Sequence, residues 1–104
     1  MNDISDNNWV YATDKSLLET IGNFIRHHRL NQNKSQTKVA QEAGISRSTL
    51  SLMERGEKTV VSNLLKVLRV LDQLQVLNVF EVQEEISPVE YVKMRKKKRQ
   101  RASN

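Results

Sequence analysis

The sequence predicts an all-α fold, a bundle of five helices, and three observations support this. Apolar residues recur three and four positions apart, which is the period of a helix that packs one face on a core. Residues that typically start and end helices separate these stretches. No stretch alternates apolar and polar residues in the manner of a half-buried strand. With 104 residues, the chain has room for one domain.

The five predicted helices follow one another with short connections. Their approximate bounds are residues 15–31, 36–43, 47–54, 63–72 and 74–80. A short polar residue precedes each of the first four, and its side-chain oxygen is expected to accept a hydrogen bond from a free amide of the first turn. In chain order, these caps are Thr13 or Asp14, Ser35, Ser46 and Ser62.

Residues 36–55 hold the most informative spacing in the chain. Gly44 ends the second helix, because a residue without a Cβ readily takes the left-handed conformation of a helix terminus. Ala40 is small enough for the third helix to cross the second closely, and Leu50 turns inward at that crossing. Two short helices joined steeply in this way form a helix-turn-helix. The third helix is then free to enter a groove of DNA.

The fourth predicted helix is apolar on more sides than one core requires. Six of the eight residues 64–71 are apolar, whereas a helix on a single core needs three or four per two turns. The surplus covers a second surface, and two explanations stay open. Either the fifth helix packs there, or a second copy of the chain does, and one helix can serve both. The predicted dimer interface consists of Leu74, Val76, Leu77, Val79 and Phe80.

The net charge of +5 is unevenly distributed. Residues 15–69 hold ten Lys or Arg against four Asp or Glu, and residues 93–101 hold seven basic residues and no acidic one. Residues 1–14 and 70–92 contain acidic residues and no Lys or Arg. Two separated basic regions favour a polyanionic partner. For the second region, a solvated tail without a partner is an equally good explanation.

Composition argues against several classes of protein. The chain has no cysteine, which excludes disulfides and thiolate metal sites. Its two histidines are adjacent and lack the spaced partners of a metal or catalytic site. No apolar run approaches the ~18 residues of a membrane span. We expect a cytoplasmic protein with no enzymatic activity, metal or cofactor and no membrane partner.

The domain organisation predicted from these patterns has three parts. Residues 1–14 form a flexible N-terminal arm, residues 15–80 form the DNA-binding domain, and residues 81–104 form an acidic linker and a basic C-terminal tail. The helix-turn-helix motif lies at about residues 36–55 within the domain.

Several residues at fixed spacing point to a known family. They are Ser35-Gln36, Ala40, Gly44-Ile45-Ser46 and Glu54-Arg55-Gly56. On these residues, the segment 21–71, about half of the chain, resembles the lambda-repressor-like family, the Cro/repressor or XRE-type helix-turn-helix regulators. The resemblance implies a five-helix bundle whose third helix lies in the major groove of double-stranded DNA. We expect a regulator of transcription, a dimeric repressor that controls its own gene.

The resemblance also implies which residues contact DNA. Gln36 is expected to meet a phosphate at the positive end of the second helix. Arg47 is the strongest candidate for reading a base, because a guanidinium donates two hydrogen bonds to guanine. Leu52 replaces a polar residue that is common in the family, so contact with a thymine methyl is expected there. The other expected contacts are made by Ser46, Ser48, Thr49, Ser51, Arg55 and Lys58.

Two further expectations come from the resemblance alone. The family often pairs an arginine late in the first helix with the Glu of Glu-x-Gly, which implies a structural salt bridge between Arg29 and Glu54. The lead-in 15–29 and the tail 71–101 resemble HipB-type antitoxins, which repress their operon and hold a kinase-like toxin. A partner toxin is therefore an alternative to DNA as the role of the tail, and both stay open.

Overall fold

A computed structural model describes residues 9–83 of the protein. The elements that lie wholly within this range are α1 (Asp14–Asn31), α2 (Gln36–Ala43), α3 (Arg47–Glu54), α4 (Val61–Val70) and a 3-10 helix (Leu74–Phe80). This part of the chain contains no strand, and the all-α prediction is confirmed. None of the helices described is long and apolar enough to cross a bilayer. The predictions for residues 1–8 and 84–104 lie outside the described residues.

Three of the four α-helices begin at a predicted cap. Thr13, Ser35 and Ser46 each accept a hydrogen bond from the backbone N–H three residues further on, at 3.0 to 3.1 Å. Such a cap stabilises a helix by about 1 kcal/mol. Asp14 is the first residue of α1 and not its cap, and its carboxylate is favourable near the positive end of the helix dipole.

The fourth helix begins two residues before its predicted start, and the prediction of Ser62 as its cap is wrong. The residue before the helix is Val60, which makes no side-chain capping bond. Valine is among the poorest capping residues. The first turn of α4 instead rests on backbone bonds from Asn63 and Leu64 to the Val60 carbonyl, and Leu64 packs against the core.

All four α-helices end in the same way. Asn33, Gly44, Gly56 and Asp72 follow them with φ angles between 55° and 80°, in the left-handed region. Each donates its N–H to the carbonyl three residues back, and the next residue donates to the carbonyl five back. This pair of bonds is the Schellman motif. Asn and Asp tolerate the left-handed conformation, and Asp72 thereby ends α4 before the predicted residue 72.

The core is built from side chains of all four α-helices. Ala40 and Leu50 are almost completely buried where α2 and α3 cross, as the helix-turn-helix spacing predicts. The buried apolar residues of the described range are Ile25, Val39, Ala40, Leu50, Met53, Val67, Leu68 and Leu71. This packing buries one side of α3 and leaves its other side in solvent.

The last described element is a 3-10 helix where the sequence predicts a short helix of unspecified type. It covers Leu74–Phe80, begins without a side-chain capping bond, and is separated from the left-handed residue Asp72 only by Gln73. The 3-10 form is common for such short connecting pieces. The element packs on α4, so the chain itself covers part of the surplus apolar surface of α4.

A buried ion pair ties α1 to the end of α3. Arg29 donates from Nε and Nη2 to the two carboxylate oxygens of Glu54, at 2.6 and 2.9 Å. Both residues are only 8% exposed. Arg29 Nη1 donates to the carbonyl of Lys34 at 2.9 Å, and Gln36 Nε2 donates to Glu54 Oε1 at 3.1 Å. Within the described residues, no buried side-chain polar atom lacks a hydrogen-bond partner.

The ion pair perturbs the titration of Arg29. The hydrogen bonds to Glu54 raise the pKa of the Arg29 guanidinium, burial opposes this rise, and the charge of the carboxylate adds to it. A raised pKa means that the stabilisation is complete at neutral pH and disappears only as the pH rises through the raised value. Arg29 therefore adds no pH dependence to folding stability near neutrality.

A double-mutant cycle measures how strongly the pair couples α1 to α3. We expect Arg29→Met and Glu54→Gln each to lower the free energy of unfolding by about 3 kcal/mol or more, because each leaves a buried polar partner unpaired. The double variant should lose less than the sum, since neither charge stays buried. Urea unfolding followed by circular dichroism gives these values. Single losses below about 1 kcal/mol, the range of exposed pairs, would contradict the expectation.

Candidate nucleic-acid interface

The helix α3 presents one continuous face to solvent. At 100° per residue, its outward side chains occupy an arc of about 140° around the helix axis. They are Arg47, Ser48, Ser51, Leu52 and Arg55, the residue that follows the helix, and all are exposed or half-buried. The opposite side of the helix lies in the core. The structure thus brings most of the predicted DNA-contacting residues together on one face.

Three cations at or near this face have no acidic partner in the described part of the chain. Arg47, Arg55 and Lys58 are exposed and form no ion pair with any of residues 9–83. Lys15, Lys34 and Lys38 lie beside glutamates, whereas Arg26, Lys66 and Arg69 are also exposed without an ion pair in this range. The positive charge near α3 is therefore available to a polyanion.

A cluster of hydroxyl groups lies at the start of α3. Ser46 Oγ accepts the backbone N–H of Thr49 at 3.1 Å and lies 2.7 Å from Thr49 Oγ1 and 3.1 Å from Ser48 Oγ. A hydroxyl has one donor and two acceptor positions, so Ser46 is largely occupied by these three bonds. Ser48 is exposed and makes only one of them. The Thr49 hydroxyl also makes one, but Thr49 is half-buried, so Ser48 is the more accessible of the two to a base.

Gln36 joins the interior to the surface at the start of α2. One N–H of its side-chain amide is held by Glu54, and the amide has a second N–H to donate. The backbone amides of Gln36 and Thr37 belong to the first turn, where no intrahelical acceptor exists. With the positive end of the helix dipole, these groups form a surface suited to a phosphate, and the buried ion pair holds it in position.

The five predicted dimer residues fall into two groups. Leu74, Val76 and Leu77 lie against the rest of the protomer or at its edge, whereas Val79 and Phe80 are each 78% exposed. Beside them, α1, α4 and the 3-10 helix enclose an apolar groove of about 340 Å³. It is lined by Thr20, Ile21, Phe24, Leu64, Leu68, Val76, Leu77 and Phe80.

Sequence reasoning missed two residues that connect α1 to other helices of the domain. Gln32 donates from Nε2 to the carbonyl of Leu71 at 2.8 Å and ties the end of α1 to the end of α4. Gly22 is buried where the backbone of α1 meets that of α3. A glycine inside an 18-residue helix was the available signal, because glycine costs about 1 kcal/mol relative to alanine there. Nothing in the sequence singles out Gln32.

Comparison with known proteins is consistent with this geometry. A family model described as helix-turn-helix, HTH_3, matches residues 25–76, half of the chain. The match runs from α1 into the 3-10 helix and includes all the predicted DNA-contacting residues and the buried ion pair. A search of curated proteins finds no match. The chain belongs to the HTH_3 helix-turn-helix family, the lambda-repressor-like, XRE-type regulators that bind DNA.

Proposed function

We propose that this DNA-binding transcriptional regulator recognises a specific operator as a dimer and represses transcription from it. The observation that carries the proposal is the outward face of α3, where Arg47 is exposed and has no ion-pair partner among residues 9–83. The rest of that face is polar apart from Leu52. A helix of this kind presents side chains to base edges when it lies in the major groove.

The remaining groups divide into those that position the protein and those that select the sequence. The orientation of the protein on the duplex would be set by phosphate contacts from Gln36, Arg55 and Lys58. Arg47 would donate two hydrogen bonds to a guanine, while Leu52 would contact a thymine methyl. The hydroxyls of Ser46, Ser48, Thr49 and Ser51 would add smaller preferences. Repression follows if the operator overlaps a promoter, because the bound protein occupies the DNA that the polymerase needs.

Binding to the DNA upstream of the protein's own gene tests the proposal directly. Fluorescence anisotropy compares that DNA with a random duplex at two salt concentrations. We expect a specificity ratio of about a thousand or more, which is typical of specific regulators. Equal and steeply salt-dependent affinity for both duplexes would contradict sequence-specific recognition of this DNA.

Replacement of Arg47 separates base reading from phosphate binding. Arg47→Ala should cost about 1–3 kcal/mol on the specific site and little on random duplex, because only the specific site offers the base that Arg47 reads. Arg55→Ala is the matched control, since it removes the same side chain from the same face. It should weaken binding to both duplexes alike and lower the salt slope by about one. An equal loss of affinity on both duplexes for Arg47→Ala would exclude base reading by Arg47.

The dimer part of the proposal is supported by the exposed apolar end of the 3-10 helix. Val79 and Phe80 lie largely in solvent next to an apolar groove, and burying both against a second copy is favourable. A twofold dimer would place two copies of α3 in successive turns of the major groove, about 34–36 Å apart. Both half-sites of a palindromic operator would then be read together.

A charge placed in the predicted dimer interface tests this arrangement. Val79→Glu should shift the protein from dimer to monomer in sedimentation equilibrium, because the interface would then bury an unpaired carboxylate. Val79 does not line the groove of its own protomer, so the fold should be retained. Val10→Glu is the matched control, since Val10 is 79% exposed and lies far along the chain from the interface. Equal assembly of both variants would refute an interface at Val79.

The resemblance to HipB-type antitoxins provides the alternative proposal, a protein that neutralises a partner toxin and represses their shared operon. Its support is the resemblance of residues 15–29 and 71–101 to those antitoxins, and this tail includes the basic run 93–101, which has no assigned role in the DNA-binding domain. The same run is also suited to act as a DNA arm. The two roles of the tail predict different consequences of removing it.

Deletion of residues 93–104 distinguishes them. If the tail is a DNA arm, affinity should fall on both duplexes, and the log–log salt slope should decrease by about 0.9 for each phosphate that the tail neutralises in the full chain. We expect this result, because seven basic residues in nine favour binding to a polyanion. The toxin partner would instead be supported by two results together. The deletion variant would bind DNA as the full chain does, and it would lose a protein that co-purifies with the full chain from its native host.

A further inference from the structure

We propose that Gly22 is a positioning residue for DNA recognition: the absence of its side chain sets the position of α3 and therefore the reach of its base-reading face. The inference rests on the proposed reading of DNA by α3. Gly22 is buried and belongs to α1, so it would act on recognition only through the residues of α3 that it touches.

The contact at Gly22 joins the backbones of two helices. A Cβ at this position would lie 2.5 Å from the carbonyl oxygen of Glu54, 2.6 Å from that of Met53 and 2.8 Å from the carbonyl carbon of Glu54. All three are backbone atoms of the last turn of α3. Because they cannot rotate away as a side chain would, a methyl group here requires the helices to move apart.

Glu54 is consequently held from two sides. Its carboxylate is drawn toward α1 by the two bonds from Arg29, and its backbone carbonyl rests against Gly22. Gly22 and Arg29 are seven residues apart, which is about two helical turns, so they share one face of α1. The ion pair and Gly22 are therefore parts of one contact. Because Gly22 has no Cβ, the last turn of α3 can approach α1 closely enough for Glu54 to bond with Arg29.

A third contact lies one turn earlier on α1. A Cβ at Gly56, just beyond α3, would lie 2.5 Å from Glu19 Cγ and 2.9 Å from Glu19 Cα. The chain that leaves α3 thus also packs closely on α1. Glycine is disfavoured within helices, and the close approach of the α3 backbone accounts for Gly22 inside α1.

The expected displacement is large on the scale of base recognition. Ordinary contact for a Cβ begins at 3.4 Å, so the Glu54 carbonyl would have to retreat by roughly 0.9 Å. Functional groups usually require placement within about 0.5 Å. Because α3 is a short rigid rod of about 12 Å, displacement of its last turn moves Arg47 as well. Long side chains that bind phosphates from outside the helix would adapt more easily than a side chain that makes two bonds to one base.

Gly22→Ala in the full-length protein tests the inference, with Gly44→Ala as its matched control. Each adds one methyl group. Gly44 has φ of 72° and nothing within 4 Å of an added Cβ, so its substitution strains the turn and displaces no neighbour. At temperatures where both variants are folded, Gly22→Ala should lose about tenfold or more in operator affinity and almost nothing on random duplex. Gly44→Ala should keep most of the wild-type specificity ratio.

A second readout does not depend on DNA. In two-dimensional NMR, the Arg29 Nε–Hε signal and the backbone amide signals of α3 should shift in Gly22→Ala, and the Arg29 signal should stay in place in Gly44→Ala. Wild-type protein that fails to discriminate between duplexes would overturn the proposed function, whereas the NMR comparison still decides whether Gly22 positions α3. Unchanged Arg29 and α3 signals, or an unchanged specificity ratio in a protein that does discriminate, would overturn the inference.

If the Gly22→Ala variant is largely unfolded, the same comparison can be made in a protein that carries a second, stabilising substitution. Val60→Ser supplies the capping oxygen that α4 lacks and should raise the folded fraction. The pair Val60→Ser and Val60→Ser/Gly22→Ala is then compared in the same two assays, and the same outcomes support or overturn the role of Gly22.

Discussion

The buried ion pair between Arg29 and Glu54 is the interaction on which the rest of the structure depends. It connects α1 with the last turn of α3 by two short parallel bonds, and Lys34 and Gln36 complete its hydrogen bonding from the start of the helix-turn-helix. Such a pair adds little net stability, because two charges must leave water. Its effect is on geometry: α3 has one favourable angle and depth against α1.

That geometry links the interior of the protein to its proposed function. Glu54 lies on the inner side of α3, and Arg47 and Arg55 lie on the outer side of the same structure, with no acidic partner in the described part of the chain. Gln36 connects the pair to the surface beside α3. A face held in this way loses little freedom when it meets DNA, and preorganisation of this kind favours both affinity and specificity.

The helix α1 serves two surfaces at once. Gly22 and Arg29 pack on α3, while Ile21 and Phe24 line the apolar groove beside the 3-10 helix. The proposed surfaces for DNA and for a second copy of the chain are therefore supported by neighbouring faces of one helix. In the proposed dimer, the spacing between two copies of α3 would depend on α1 and the elements packed on it.

Local chemistry made much of the fold predictable. Thr13, Ser35 and Ser46 identify helix starts through bonds that span three residues, and Gly44 identifies a helix end through its own backbone angle. The same kind of short-range information places Arg47 on the outward face of α3, since helical periodicity alone determines which side chains oppose the core.

The sequence by itself determined the all-α class, the helix-turn-helix spacing, the caps of the second and third helices and the uneven charge. Only the tertiary structure decided where α4 starts, that the last element is a 3-10 helix, and how closely Gly22 meets the end of α3. The difference is one of range. Capping and periodicity act within a few residues, whereas the contact of Gly22 with the Glu54 backbone joins two helices that are far apart in the chain, and the geometry of such contacts depends on how the whole core packs.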